Sequence, residues 1–262
     1  MKSKDIWIPN QSLGNNFFGV CSEVVNNEES FKTFKTNPTF CTIIGNDIRS
    51  KSISDLLFNK LMFNEFKLLD NIDKFKTNDK YGSPYLYEYP NIGNISPGTL
   101  YFIDILRQII HHFGDIGNFN IVEIGSGYGG QSKIILDQGV KSYTCIDVIE
   151  PLMLCKKYLS FFDYDNVQFK EWTNITPSNY DLVISNWCLS EFNEEGIDYY
   201  IENVVKHCKY GFFLMNVWDV NGRQKYIIDK LKETFDIIDI FPEEPKTHNN
   251  DNFLIIGKNE TR

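Results

Sequence analysis

The sequence predicts an α/β protein whose C-terminal part is a doubly wound, mostly parallel sheet. Three observations carry this prediction. From residue 118 onward, short apolar runs of strand type alternate with amphipathic segments of helical spacing. The first of these runs passes directly into a turn with four glycines. Residues 1–95 lack the alternation and carry helical patterns instead, so they are predicted to form a mostly helical N-terminal extension.

The predicted sheet domain covers 96–262 and contains seven strands. They are expected near 119–124, 142–147, 166–170, 181–185, 211–216, 235–241 and 252–257. Helices are expected between them near 129–138, 151–162, 194–207 and 222–233. The connection over 171–180 is short and contains Pro177, so no full helix is expected there. The last two strands are joined by a short loop and therefore predict a closing hairpin.

The N-terminal region, 1–95, is predicted to be a helical cap or lid over the sheet domain. An amphipathic helix is expected over about 53–70, and Ser96 followed by Pro97 marks the start of a helix that runs to about residue 112. The segment 78–93 is rich in Tyr, Gly and Pro. It is either a lid or substrate-binding loop, or a loop that staples the N-terminal helices to the core.

Composition limits the classes of function. The 262 residues are 42% hydrophobic and 15% aromatic, which excludes a disordered chain. The net charge of −9 argues against nonspecific binding to nucleic acid, so a small-molecule substrate is expected. The six cysteines show no C-x-x-C spacing, as buried thiols in a reducing compartment would. No apolar run is long enough for a membrane span, so a cytoplasmic protein is expected, as a monomer or a homo-oligomer.

The turn after the first sheet strand predicts a nucleotide-shaped ligand. Its glycines allow a tight turn and a close approach of ligand to backbone. Gly125, Gly127 and Gly130 also satisfy the dinucleotide pattern G-x-G-x-x-G, and Asp147 follows 20 residues after Gly127, where it could hold ribose hydroxyls. The turn alone therefore fits both an NAD-dependent oxidoreductase and a methyltransferase.

Glu123, two residues before the first glycine, favours the methyltransferase. A carboxylate beside the turn attracts a cationic ligand and repels a pyrophosphate. S-adenosyl-L-methionine carries both a sulfonium and an ammonium group, so it is the expected cofactor. The alternative is a glutamate engaged in a cap or a salt bridge.

Further cofactor contacts are expected where strands end at the same edge of the sheet. Asp147 is expected at the ribose, Glu171 and Trp172 near the adenine, and Gln131 at the methionine end. Trp172 could equally be a core residue, and Gln131 could equally serve the helix start. The complete predicted cofactor set is Glu123, Gly125, Ser126, Gly127, Tyr128, Gln131, Asp147, Glu171, Trp172, Ser185 and Asn186.

Two residues are candidate catalytic groups, because methyl transfer to oxygen or nitrogen often requires removal of the acceptor's proton. Glu191 follows strand four at the ligand edge and is the leading general base; the alternative is a carboxylate that only stabilises a helix N-terminus. His248 lies between the last two strands and could be a second base or a substrate contact, or part of a solvated loop. Ser185 and Asn186 stand where a metal-dependent enzyme would carry acids, so no metal is expected.

Taken together, several segments resemble the sugar O-methyltransferase family, a branch of the class I S-adenosylmethionine-dependent methyltransferases. The matching segments are Asn78-Asp79 with Gly82, Gly93-Asn-Ile-Ser-Pro97, Val122-Glu-Ile-Gly-Ser-Gly-Tyr-Gly-Gly-Gln131, Tyr180-Asp-Leu-Val-Ile-Ser-Asn186 with Ser190-Glu191, and Glu243-Glu-Pro-Lys-Thr247 with Asn252. The resemblance implies a Rossmann-like seven-stranded sheet and methyl transfer to a hydroxyl of a sugar, as a nucleotide-linked sugar or a glycan precursor.

Two other classes of function stay open at the level of sequence. The G-x-G-x-x-G match allows an NAD-dependent oxidoreductase, although a typical dehydrogenase sheet would continue with parallel strands. A methyltransferase-like module could also bind the donor or a partner without catalysis, with the aromatic N-terminal region as the partner surface.

Overall fold

The computed structural model describes residues 11–43, 50–63, 68–216, 222–246 and 252–260. Within them, the strands are β1 (Tyr87–Tyr89), β2 (Gly93–Ile95), β3 (Asn120–Ile124), β4 (Ser142–Asp147), β5 (Val167–Glu171), β6 (Tyr180–Asn186), β7 (Cys208–Met215), β8 (Ile237–Pro242) and β9 (Phe253–Lys258). The α-helices are α1 (Gln11–Asn26), α2 (Glu28–Thr33), α3 (Pro38–Ile43), α4 (Lys51–Met62), α5 (Ile72–Lys76), α6 (Pro97–Phe113), α7 (Gly130–Leu136), α8 (Ile149–Leu159), α9 (Glu194–Asn203) and α10 (Arg223–Thr234).

The predicted fold class is confirmed. Seven strands form one sheet in the order β5-β4-β3-β6-β7-β9-β8. The pairs along β5-β4-β3-β6-β7 are parallel, whereas β9 is antiparallel to both β7 and β8. The short β8–β9 connection allows only antiparallel pairing. From β3 to β5 successive strands are added toward one side of the sheet, and from β6 to β7 they are added toward the other. Ligands of open α/β sheets bind at the carboxyl ends of strands at such a switch point.

The strand β3 is buried on both faces, as its apolar run predicts. Ile121 faces the core formed with α6, α7 and α8, whereas Val122 and Ile124 face the core formed with α9 and α10. Strand alternation therefore also turns Glu123 toward the α7 side. The two cores hold the sheet between layers of helices and fix where β3 ends.

The N-terminal helices pack on the sheet domain and share one core with α6, α7 and α8. Phe34 and Phe40 lie against Tyr128 of the glycine turn, with ring centroids 5.4 and 5.8 Å apart. Burial is the main cause that raises the pKa of the Cys21 thiol in α1, and the charges of Asp147 and Glu150 raise it further. Cys21 therefore lies near Asp147. The helical region thus covers the edge of the sheet that carries the glycine turn.

The segment after α5 staples these helices to α6. The Asp79 carboxylate accepts hydrogen bonds from Ser96 N at 2.7 Å, Ser96 Oγ at 2.6 Å and Thr99 Oγ1 at 2.7 Å. Asn78 donates to Thr99 Oγ1 at 2.8 Å and accepts from the Tyr158 hydroxyl at 2.7 Å. Of the two alternatives for 78–93, these contacts support the staple, and β1 and β2 close the segment as a small hairpin.

Some predicted bounds differ from the structure. The helix expected over 53–70 ends at Met62, because Phe63 leaves the helical region with φ −105° and ψ 13°. The helix expected over 194–207 ends at Asn203 and continues as a 3₁₀ turn over Val205–His207. The strand expected over 211–216 is β7, and it begins earlier, at Cys208, because its backbone already pairs with β6 there. His248 lies outside the described residues.

Candidate cofactor and active site

The glycine turn after β3 has the conformation that its sequence predicts. Gly125, Gly127 and Gly129 have φ of 79°, 54° and 88°, a region that L side chains rarely adopt. A Cβ at Gly125 would lie 2.4 Å from Cys188 Sγ, so the turn and the segment after β6 approach too closely for a side chain. A Cβ at Gly127 would meet nothing within 4 Å. The turn is therefore packed on one side and open at Gly127, where a ligand can approach the backbone.

Asp147, at the end of β4, is bonded to the turn itself. Its Oδ2 accepts from Gly127 N and its Oδ1 from Val148 N, both at 2.8 Å. Burial raises the pKa of Asp147 to about 7, although the two backbone hydrogen bonds act in the opposite direction. A carboxylate has about four lone-pair positions, so two can still accept from hydroxyl groups of a ligand.

Glu123 lies beneath the turn and not at its mouth. Its side chain is 2% exposed, and its Oε2 accepts from Ser132 Oγ of α7 at 2.6 Å and from the Tyr143 hydroxyl of β4 at 2.8 Å. Burial raises the pKa of Glu123 to about 7. The carboxyl can therefore carry only part of a negative charge at neutral pH, and attraction of a cationic ligand by Glu123 stays a prediction.

Four predicted cofactor residues carry a buried polar atom that has no hydrogen-bond partner among the described residues. The atoms are Ser126 Oγ, Gln131 Oε1, Trp172 Nε1 and Asn186 Oδ1. Ser126 and Gln131 follow the carboxyl end of β3, Trp172 follows β5, and Asn186 is the last residue of β6. Buried polar atoms in folded proteins are nearly always paired. This edge of the sheet therefore carries hydrogen-bonding groups that a bound ligand could pair.

Gln131 and Trp172 show how these atoms are held. Gln131 is 3% exposed and donates through Nε2 to the Phe102 carbonyl at 3.3 Å, which leaves Oε1 as the unpaired acceptor. Trp172 packs edge-on against Tyr199, and its own carbonyl accepts from the Tyr199 hydroxyl at 2.8 Å. Its indole is thus both a core residue and the bearer of an unpaired N–H.

The remaining predicted cofactor residues make other contacts. The Tyr128 ring packs against Phe34 of the cap and against Tyr158 of α8, with centroids 5.4 and 5.1 Å away. Ser185 Oγ accepts from Leu189 N at 3.1 Å and so caps the turn after β6. Glu171 ends β5 and is partly buried. Contact of these three side chains with the cofactor stays a prediction.

Glu191 lies in the 3₁₀ turn Leu189–Glu191, next to the end of β7. Its Oε1 accepts from Asn216 Nδ2 at 2.5 Å. Burial raises the pKa of the carboxyl, whereas the Asn216 hydrogen bond and the Arg223 charge lower it. The result is a partly buried carboxyl whose proton affinity is increased, as suits a general base.

Trp187 begins the turn with an unfavourable backbone conformation. Its φ is 57°, which is uncommon for a bulky residue and is often maintained at functional sites. Its ring stacks on Tyr101 of α6, with centroids 5.3 Å apart and planes 13° apart. The Tyr101 hydroxyl donates to Glu243 Oε1 at 3.3 Å, and Asn252 donates to Glu243 Oε2 at 3.1 Å. The turn after β6 is thereby connected to the loop that follows β8.

Sequence reasoning missed Asn216, Arg223 and Tyr101. Asn216 follows β7 at the ligand edge, so the rule applied to β6 could have found it. Arg223 is a cation in the first turn of α10, where the helix dipole disfavours positive charge, and that mismatch was an available indication. Tyr101 looks like any apolar residue of an amphipathic helix.

Two further features bear on ligands. Among the described residues, no group of three or more His, Cys, Asp or Glu side chains is placed to hold a metal ion. A cavity of about 470 Å³ lies at the opposite edge of the sheet, between the segments that precede β4 and β5, and none of the predicted site residues lines it.

None of the helices in the described part of the chain is both long and apolar enough to cross a membrane.

Comparison with known proteins gives similarity of structure only. No family model matches the chain, and no curated protein matches it in sequence. Similar solved structures include the N-methyltransferase NodS of Bradyrhizobium japonicum (17% identity, 61% of this chain and 94% of that chain, TM-score 0.46). A second is an O-methyltransferase family protein of Burkholderia thailandensis (13% identity, 63% of this chain and 60% of that chain, TM-score 0.45). A third is PH1948 of Pyrococcus horikoshii, provisionally described as an RNA methyltransferase (15% identity, 62% of this chain and 84% of that chain, TM-score 0.46).

The strand order and the reversed strand β9, not these scores, identify the fold. The chain has the Rossmann-like fold of the class I methyltransferases, with the hairpin that the sequence predicted at the end of the sheet.

The pKa of Glu123 generates a prediction about stability. Burial raises this pKa from 4.5 to about 7, so between these pH values the folded protein holds a proton that the unfolded chain has released. Stability contributed by Glu123 is therefore present at low pH and lost as the pH rises toward 7. The variant Glu123→Gln lacks this titration.

We expect the stability of Glu123→Gln relative to the wild type to increase by about 3 kcal/mol between pH 4 and pH 8. Urea unfolding across this range measures the difference. A stability difference that is independent of pH would contradict the prediction.

Proposed function

We propose that the protein is an S-adenosylmethionine-dependent O-methyltransferase that acts on a sugar hydroxyl, in a nucleotide-linked sugar or a glycan precursor. The observation that carries the proposal is the set of four unpaired buried polar atoms on the segments at the carboxyl ends of β3, β5 and β6. They accompany a class I methyltransferase sheet and lie at its ligand edge.

The kinds of unpaired atom favour this cofactor over a dinucleotide. Gln131 Oε1 and Asn186 Oδ1 are hydrogen-bond acceptors, so they require N–H or O–H donors. The ammonium group of S-adenosylmethionine supplies three N–H donors, whereas a pyrophosphate offers only acceptors. Trp172 Nε1 is a donor and suits a ring nitrogen of adenine, and Asp147 retains lone pairs for ribose hydroxyls. The residues present therefore fit the cofactor.

The cofactor supplies an electrophilic methyl group on sulfur, and the protein has to align an acceptor oxygen with it and remove a proton. We assign proton removal to Glu191. Its Oε1 is held by Asn216, which leaves Oε2 to accept the hydroxyl proton. Because burial raises the pKa of Glu191, the carboxylate is a stronger base than an exposed glutamate. His248 remains a candidate second base.

A sugar acceptor is supported by the resemblance of five segments to the sugar O-methyltransferases and by the groups around Trp187. Aromatic faces pack against the apolar faces of sugar rings, and carboxylate and amide groups accept and donate hydrogen bonds to their hydroxyls. Trp187 is partly buried, and the connected residues Tyr101, Glu243 and Asn252 join it to the loop after β8. The net charge of −9 also favours a small acceptor over a nucleic acid.

Two alternatives are less well supported. The antiparallel β9 and the unpaired acceptor atoms both disfavour an NAD-dependent oxidoreductase. A module that binds the donor without catalysis would explain the cofactor edge but not a buried carboxyl held by an amide beside it.

Donor binding tests the first part of the proposal. We expect calorimetric titration with S-adenosylhomocysteine to give micromolar affinity. Gln131→Ala removes a buried acceptor and should weaken binding about tenfold or more. The exposed Gln168 of β5 provides a matched control, Gln168→Ala, which should leave the affinity unchanged. Absence of binding at high micromolar product would contradict the proposal.

Turnover tests the second part. On a panel of sugar nucleotides, Glu191→Gln should retain donor binding but lose about 100-fold or more in kcat, because a general base contributes at least that much. Glu195→Gln, at an exposed glutamate in the first turn of α9, is the matched control and should remain active. Unchanged turnover in Glu191→Gln would move the base to His248 or to an acid of 78–93. Donor binding without transfer to any acceptor would favour the non-catalytic module.

A further inference from the structure

We infer that Arg223 and Asn216 are positioning residues for Glu191: Arg223 fixes the turn that carries the carboxylate, and Asn216 orients one of its oxygens. The inference rests on the proposed role of Glu191 as general base. Both residues lie outside the glycine turn.

Arg223 holds the backbone on both sides of Glu191. Its Nη1 donates to the Ser190 carbonyl at 2.9 Å and lies 3.5 Å from the Phe192 carbonyl, and the residue is only 7% exposed. A guanidinium is planar and has donors in fixed directions, so it can fix a turn in a way that a flexible ammonium cannot. The backbone position of Glu191 therefore depends on α10.

The location of Arg223 indicates a function beyond stability of α10. It is the first residue of the helix, and the preceding Gly222 offers no side-chain cap. A cation at this end opposes the helix dipole, so the position is unfavourable for α10 itself. The charge of Arg223 acts on Glu191, whose pKa it lowers. Arg223 therefore acts on the turn after β6, through its hydrogen bond to Ser190 and its charge near Glu191.

Asn216 connects the same turn to the end of β7. Its Nδ2 donates to Glu191 Oε1 at 2.5 Å, and its backbone N donates to Ser190 Oγ at 3.4 Å. Ser190 Oγ in turn donates to the Trp187 carbonyl at 3.1 Å. One carboxylate oxygen is consequently fixed by an amide, and the other is left for the acceptor's proton.

The electrostatics agree with this geometry. Burial raises the pKa of Glu191, while the hydrogen bond from Asn216 on β7 and the charge of Arg223 on α10 lower it. Cys188 lies on the same turn, and its thiol stays neutral because burial raises its pKa well above the ordinary value. Arg223 and Asn216 therefore oppose the effect of burial and favour the ionised form of Glu191.

The test measures Glu191 directly and needs no acceptor. The protein is labelled with ¹³C at the glutamate side-chain carboxyl, the Glu191 resonance is assigned with Glu191→Gln, and its pKa is followed by NMR. We expect the pKa to rise in Arg223→Met and in Asn216→Leu and to rise less in Arg223→Lys, which keeps the charge. Lys225→Met is the matched control, since Lys225 is an exposed cation of the same helix turn, paired with Asp229.

An unchanged Glu191 pKa in folded Arg223→Met would overturn the role of Arg223. If Arg223→Met fails to fold, Arg223→Lys and Asn216→Leu provide the test in its place. The inference is wrong if both of these variants have the same Glu191 pKa and the same pH dependence of kcat as the wild type. In active variants, the acidic limb of the kcat profile should move to higher pH with unchanged affinity for S-adenosylhomocysteine. Loss of kcat by the same factor at every pH would indicate a structural role only. Failure of the proposed function is distinguishable, because it would appear in the wild type, as absent product binding or as donor binding without transfer to any acceptor.

Discussion

The switch in strand order between the parallel strands β3 and β6 is the constraint on which the site depends. Because β4 and β5 lie on one side of β3 and β6 and β7 on the other, helices leave these strands toward opposite faces, and a crevice opens at their carboxyl ends. The glycine turn follows β3 at this edge, and Asp147 at the end of β4 accepts a hydrogen bond from it. Asn186 and Glu191 lie at and after the end of β6, on the other side of β3. The closing pair β8 and β9 then brings Glu243 and Asn252 to the same edge.

Burial at this edge sets the electrostatics. Glu123, Asp147 and Glu191 all have a raised pKa, and burial is the largest cause for each. Their partners differ, however: hydroxyl groups for Glu123, backbone N–H groups for Asp147, and an amide with a nearby guanidinium for Glu191. Three buried carboxyls near one edge of the sheet are thereby held by different kinds of donor and can take different parts in binding and chemistry.

The sequence predicted the fold well because periodicity and glycine positions act locally. The bounds of β4 were predicted to the residue, and each of the other sheet strands to within a few residues. The side-chain partners were harder. Strand alternation could have shown that Glu123 faces α7, but its hydroxyl partners Ser132 and Tyr143 come together only through packing. Arg223 acts on a turn about thirty residues earlier, a relation that depends on how α10 docks beside β6 and β7.

We assign the unpaired atoms at the carboxyl edge of the sheet to a cofactor site. A crystal structure of the protein with S-adenosylhomocysteine is the decisive measurement. We expect the product to lie across the glycine turn, with Gln131 Oε1 or Asn186 Oδ1 accepting from its amino group and Trp172 Nε1 donating to its base. A product bound elsewhere, or bound at the turn while these atoms keep no partner, would show that the assignment is wrong.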